Sequence, residues 1–162
     1  MLKLDDRDIA ILRVLSSEGR ISKADLAKRV NLSPTPTWER LRRLEESGVI
    51  RGYHAELDPG LVAKQVEVFV TAEIERHRAA DFAAFEAAMQ THDEVAGCWA
   101  LGGGFDYLLQ IRVPDIDRYQ RFMDELLQGD LGLARYYTYI VTKPIKQPGR
   151  AALPDLSALL PG

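Results

Sequence analysis

The sequence predicts an α+β chain in two units. A winged helix-turn-helix occupies residues 1–58, and a split-βαβ, ferredoxin-like βαββαβ unit occupies 66–146. A linker at 59–65 joins them, and a proline-rich tail fills 147–162. Three observations lead to this reading. Before Gly48, apolar residues recur at helical spacing, and cap and turn residues divide them into three short segments. After the turn signal Asp58-Pro59-Gly60 the pattern switches to alternation, with Val66, Val68, Val70, Ala72 and Ile74 set against Glu67, Phe69, Thr71, Glu73 and Glu75. From there strand and helix patterns follow in the order β-α-β-β-α-β.

The first helix is expected over Leu4–Ser17, with Asp5 as its cap, a Leu4/Ile9 staple and an inner stripe of Ile9, Leu12 and Leu15. Ser22 caps the second, whose inner face is Leu26, Ala27 and Val30, and Asn31-Leu32 makes the turn after it. Ser33 caps the third. Pro34 sits at its first position, where a missing N–H costs nothing, and Gly48 stops it. Thr37, Leu41 and Leu44 are its buried stripe. None of these helices buries enough area alone, so the three should pack into one trihelical core. Residues 49–57 read as a short hairpin or wing.

The opposite face of the third helix presents Thr35, Glu39, Arg42, Arg43 and Glu46, with Trp38 and Arg40 at its flanks. A helix that begins with small hydroxylated residues and carries arginines outward suits a DNA major groove. The N–H groups of its first turn face phosphate, and arginine can bridge a guanine edge in two places. Ser33 and Thr35 are candidates for phosphate or base edges. Trp38 is a candidate for apolar contact or for supporting the helix. Glu39, Arg40, Arg42 and Arg43 complete the face, with Arg42 and Arg43 foremost, and Arg51 reaches backbone phosphate from the wing. His54 could touch phosphate there too, but reads rather as a surface residue. A solvated helix face is the other reading of the same charges. Net charge is −3, but residues 20–51 hold 8 Lys/Arg against 4 Asp/Glu, so positive charge sits on the proposed DNA-binding element.

In the second unit, strands are expected at 66–75, 95–101, 107–113 and 133–142, and helices at 79–91 and after Asp115. The inner residues of those helices are Phe82, Phe85 and Met89, and Ile116, Tyr119, Met123 and Leu126. Two helices cover one face of such a sheet. The other would carry Phe69, Tyr137 and Tyr139, too apolar to leave wet, so a second copy of the chain is the expected cover.

Other classes find little support. No apolar run approaches the roughly 20 residues of a membrane span, and the acidic N-terminus is unlike a signal peptide, so a cytoplasmic protein without a membrane partner is expected. Cys98 is the only cysteine and reads as a small packed strand residue. His54, His77 and His92 are not at metal-ligand spacing with one another or with Cys98, and Gly102-Gly103-Gly104 lacks the lysine and hydroxyl of a phosphate loop. No catalytic residue, metal or cofactor is expected.

The stretch LSPTPTWERLRRLEESGVI in a trihelical unit, then a hinge, then a βαββαβ unit with GGGFDYLLQIRV between strands, resembles the Lrp/AsnC family of regulators. Ser33-Pro34-Thr35, Glu39-Arg40, Arg42-Arg43-Leu44-Glu45 and Gly48-Val49-Ile50 all fall in register with it, and the likeness runs from Leu4 to about Lys146. It implies DNA binding by dimers that assemble into tetramers or octamers. It also implies that the second unit is a RAM module taking a small effector, an amino acid, between dimers. Mapped here, the effector site comprises Cys98, Ala100, Gly102, Gly103, Gly104, Phe105 and Asp106, with Tyr137 and Tyr139 as neighbours. Gly104 stands where the family often has an acidic residue. The glycines fit either a tight hairpin or a main-chain cradle for a carboxylate, with Asp106 meeting the ammonium. The alternative function is architectural, a protein that wraps DNA with little effector dependence.

Overall fold

The helix signals before Gly48 become α1 (Asp6–Ser17), α2 (Lys23–Arg29) and α3 (Pro34–Glu46) in a computed structural model that describes residues 3–145. The tail expected at 147–162 lies outside the described residues. Asp5 caps α1 by accepting from the main-chain N–H groups of Arg7 and Asp8, and the Asp8 carboxylate takes the Asp5 N–H in return. This is a capping box closed by aspartate instead of the more usual Glu or Gln. Ser22 caps α2 through the Asp25 N–H. Ser33 holds the N-cap position of α3 without a side-chain cap bond. The expected set of first-turn donors is also smaller than supposed. Pro34 and Pro36 carry no N–H and the Thr37 N–H is bonded to the Ser33 carbonyl, so Thr35 is the one donor left in that turn.

Ile9, Ile11, Leu12, Leu26, Ala27, Val30, Leu41 and Leu44 are buried in this unit. The stripe on α1 is rotated from the one expected: Ile11 is fully buried, whereas Leu15 is only half-buried at the margin. Both turns rest on left-handed residues. Asn31 (φ 58°) lets the Leu32 N–H reach the Ala27 carbonyl, and Gly48 (φ 75°) lets the Ile50 N–H reach that of Leu44. The expected wing hairpin does not form: residues 51–58 are exposed and without strand pairing. Tyr53, Ala55 and Leu57 alternate with Gly52, His54 and Glu56, but they stay exposed with no strand beside them, and a two-stranded ribbon that buries no face is marginal.

The chain divides into two units, one ending at Leu57 and one spanning Asp58–Ile145. After a 3₁₀ turn at Pro59–Leu61, the second contains β1 (Val66–Ile74), α4 (Ala79–Met89), β2 (Val95–Ala100), β3 (Tyr107–Val113), α5 (Ile116–Gln128) and β4 (Leu133–Ile140). The sheet order is β2-β3-β1-β4 and every pair is antiparallel, as the βαββαβ reading requires. Val68, Val70, Ala72 and Ile74 of β1 pack with Leu109, Ile111 and Val113 of β3 against Phe85, Met89, Phe122, Met123 and Leu126 of the helices. On α5 it is Phe122 that is buried, whereas Ile116 is exposed at the first turn. Register places Phe69, Thr71, Leu108, Gln110, Trp99, Tyr137 and Tyr139 on the other face. Trp99, Tyr137 and Tyr139 there are about half exposed, so the apolar open face expected from the alternation is present.

Candidate functional site

α3 is built so that one side is core and the other is chemistry. Thr37, Leu41 and Leu44 point inward, while Thr35, Trp38, Glu39, Arg42, Arg43 and Glu46 are exposed, as is Ser33 before them. Arg40 is half-buried. Its Nη1 lies 2.6 Å from Asp5 Oδ2 and 2.9 Å from Asp8 Oδ1, both on or beside α1. Arg43 also turns toward α1, with Nη2 2.5 Å from Asp8 Oδ2. Arg42 instead pairs along α3 itself, Nε to Glu46 Oε1 at 2.7 Å, where both side chains are well exposed. An exposed i,i+4 pair of this kind is worth about 0.5 kcal/mol and yields readily to a phosphate.

Trp38 stands at the N-terminal end of the face with the Lys23 ammonium 3.3 Å from its ring centroid, a cation–π contact that ties α2 to α3. Below the helix, the Tyr53 hydroxyl donates to Glu45 Oε1 at 2.8 Å. Burial, reinforced by that carboxylate, pushes the phenol up to about 12. This bond holds the segment that carries Arg51, which is exposed. Asp8 is the residue that sequence reasoning missed. It is fully buried, and it appeared in the sequence only as one of several acidic residues in a helix's first turn.

The second candidate site is the connection between β2 and β3. Asp106 organises it. Its N–H donates to the Ala72 carbonyl, its carbonyl accepts from Leu101, and its Oδ2 accepts the Ile74 N–H at 2.7 Å. Oδ1 faces His77 Nε2 at 3.3 Å. The glycines are exposed. None of Gly102, Gly103 and Gly104 takes a left-handed φ, and a Cβ on any of them would meet nothing within 4 Å. Hairpin geometry therefore does not require glycine at these three positions. Phe105 leans on Tyr137, with ring centroids 5.5 Å apart, which connects the loop to the open face.

The structure does not gather all of the expected effector residues in one chain. Phe105, Asp106 and Tyr137 lie together. Register puts Cys98 opposite Leu109 and Ala100 opposite Tyr107, on the helix-covered side of the sheet, whereas Tyr137 and Tyr139 are on the open side. β2 and β4 are the two sheet edges with β3 and β1 between them, so they stand roughly 14 Å apart at ordinary strand spacing. Burial pushes the Cys98 thiol above its ordinary value, the direction opposite to an activated nucleophile. Among the described residues no group of three or more His, Cys, Asp and Glu side chains is placed to hold a metal ion, and no helix is long and apolar enough to cross a membrane.

These features agree with what known proteins share with the chain. A family model described as winged helix-turn-helix DNA-binding matches residues 4–51, and one described as Lrp/AsnC ligand binding domain matches 67–151. The chain is 48% identical over 157 residues to the transcriptional regulatory protein DoeX of Halomonas elongata, covering 96% of this chain and 99% of that one. It is 42% identical over 150 residues to the leucine-responsive regulatory protein of Salmonella typhimurium, covering 93% and 92%. Among solved structures, a Neisseria meningitidis transcriptional regulator in complex with L-Met superposes with a TM-score of 0.88 at 36% identity, covering 98% of this chain and 100% of that one. An AsnC family regulator from Agrobacterium tumefaciens gives 0.88 at 34% identity, covering 97% and 100%.

Proposed function

The chain belongs to the Lrp/AsnC family of transcriptional regulators, and from that premise we propose that it is a sequence-specific regulator whose DNA binding is controlled by an amino acid held at the 101–106 loop. Dimers form through the open sheet faces and assemble further into tetramers or octamers. Paired α3 helices enter successive major grooves of double-stranded DNA, with Ser33, Thr35, Trp38, Glu39 and Arg42 toward the duplex and Arg51 toward its backbone. The effector lies between copies of the chain. That arrangement reconciles Cys98 and Ala100 with Tyr137 and Tyr139, since the two sheet edges that a single chain keeps apart are brought to one site by different copies. Control requires the amino acid to bind one assembly more tightly than another.

The observation that supports effector binding most directly is the open glycine triplet beside a pinned aspartate. Three exposed glycines, at which a Cβ would meet nothing within 4 Å, leave main chain that a carboxylate can approach, and Asp106, whose Oδ1 faces His77 Nε2 at 3.3 Å, supplies a negative charge beside them for an ammonium. The regulator from Neisseria, solved with L-Met, supports the ligand class.

Two measurements test this reading. In a thermal-shift screen of the twenty amino acids, a ligand at 100 times its Kd adds about 2.7 kcal/mol to the native state, a readily measured rise in Tm. The same ligand should shift Asp106→Asn much less. That variant keeps an oxygen for the Ile74 N–H, so loss of response reports the charge and not the loop's bracing. An undiminished response would place the ammonium elsewhere. On the DNA side, Arg42→Ala is expected to weaken binding by about 1–3 kcal/mol if the arginine reads a base, or to lower the slope of log K against log salt by about 0.9 if it meets phosphate. Fluorescence anisotropy over a salt series distinguishes the two, and no change in either quantity would remove Arg42 from the contact set.

A further inference from the structure

We propose that Asp8 is a specificity-determining residue that acts by positioning: it draws Arg40 and Arg43 of the recognition helix into a charge-balanced cluster on α1 and so withholds them from indiscriminate contact with DNA phosphate. The inference rests on α3 being the helix that enters the groove. Asp5 and Asp8 supply two negative charges and Arg40 and Arg43 two positive ones. Asp8 has no exposed surface, and both its oxygens are occupied. Oδ1 accepts from Arg40 Nη1 at 2.9 Å, and Oδ2 accepts from Arg43 Nη2 at 2.5 Å and from the Asp5 N–H at 3.1 Å. Arg40 Nη1 also lies 2.8 Å and 2.6 Å from the two oxygens of Asp5. The cluster presents no net charge to a duplex.

Packing does not require a carboxylate here. α1 and α3 already meet through Ile11, Leu12, Leu41 and Leu44, and a buried ion pair stabilises no better than apolar side chains of the same volume. What a carboxylate does, and an apolar residue would not, is fix the direction of two guanidinium groups. Released, each would add one sequence-independent phosphate contact, or about 0.9 in salt slope. Such contacts strengthen binding to any duplex. They therefore erode the ratio of specific to non-specific affinity on which a regulator depends.

The test uses the full chain and two labelled duplexes of equal length: one selected by the wild-type protein from a random-sequence pool, and one of mixed sequence. Asp8→Asn removes the charge but keeps an acceptor for the Asp5 N–H. It is expected to steepen the salt slope on the mixed-sequence duplex by about 1, since Arg43 is freed while Arg40 keeps Asp5, to raise affinity for that duplex several-fold, and to lower the specific-to-mixed ratio by a similar factor. Adding Arg43→Gln should remove most of that gain. Asp5→Asn is a second, milder variant. Asparagine is as good an N-cap as aspartate, and the side chain is half exposed, so the fold is kept while one cluster charge is lost. It should move slope and ratio the same way by less. If folded Asp8→Asn weakens both duplexes in parallel with an unchanged slope, Asp8 serves the fold alone and the proposal is wrong. If Asp8→Asn does not fold, unchanged slope and ratio in Asp5→Asn overturn it equally. A wild-type chain indifferent to the two duplexes would sink the groove-docking reading along with it.

Discussion

Asp8→Ala is expected to lower the stability of the N-terminal unit by about 3 kcal/mol, near the bottom of the range for breaking a buried ion pair from one side. The loss has three parts. The Asp5 N–H loses its acceptor, the capping box opens, and two guanidinium groups lose their common partner. The loss stays near that lower bound because Arg43 is half exposed and can turn to water, while Arg40 keeps Asp5. Unfolding followed by Trp38 fluorescence in a Trp99→Phe background isolates this unit, since these are the two tryptophans of the chain. Asp6→Ala, exposed in the same turn, is the control and should change stability by about 0.5 kcal/mol or less. Equal effects would mean that the carboxylate at position 8 is no more than surface charge. Asp5 adds a pH-dependent part. The Asp8 main-chain N–H and then the Arg40 guanidinium hold the Asp5 carboxyl below its ordinary value. A carboxyl lowered on folding stabilises above its unfolded value, and that contribution is lost as pH falls through the folded one. This contribution should therefore begin to fade as pH falls through the ordinary carboxylate range and be gone below the lower folded value, and NMR titration of Asp5 checks it.

Tyr139→Glu is expected to raise the dissociation constant of the dimer about a thousandfold, an effect of roughly 4 kcal/mol. Tyr139 lies opposite Phe69 on the open face, and its side chain is half exposed within one chain, so the substitution leaves the helix-covered core untouched. In a dimer closed over this face, the new carboxylate would be taken out of water without a partner. The rest of the face is built for contact. The Trp99 ring lies across Gly97, where an added Cβ would come within 2.4 Å of it, and Phe105 backs Tyr137. Sedimentation velocity reads the outcome directly. A dimer of unchanged affinity would show that the chains associate through some other surface. DNA affinity should fall as the dimer is lost, because two linked half-site contacts gain from effective concentration and two separate ones do not.

What the sequence determined by itself is what depends on local chemistry and periodicity. The caps Asp5, Ser22 and Asp115, the left-handed turns at Asn31 and Gly48, the inward stripe of Thr37, Leu41 and Leu44, and the alternation of β1 are all legible there, since each is decided within a few residues along the chain. The exposed face of α3 and the apolar open face of the sheet follow from the same periods. Tertiary structure decided the rest. Which way an arginine on α3 points depends on a carboxylate 35 residues earlier, so Arg42 and Arg43 look alike in the sequence and differ in the fold. Asp8 reads as one more acidic residue of a first turn until α3 packs against α1 and closes it off from water. No hairpin forms at the wing because strand pairing needs a partner and a buried face, and the alternating Tyr53, Ala55 and Leu57 stay exposed with no strand beside them. Asp106, expected to be free for a ligand, is held at one oxygen by the Ile74 N–H, and the expected effector residues fall on both faces and both edges of the sheet. Local rules place a side chain on a face of its own element. Only the packing of elements decides which charge it meets there, and whether water still reaches it.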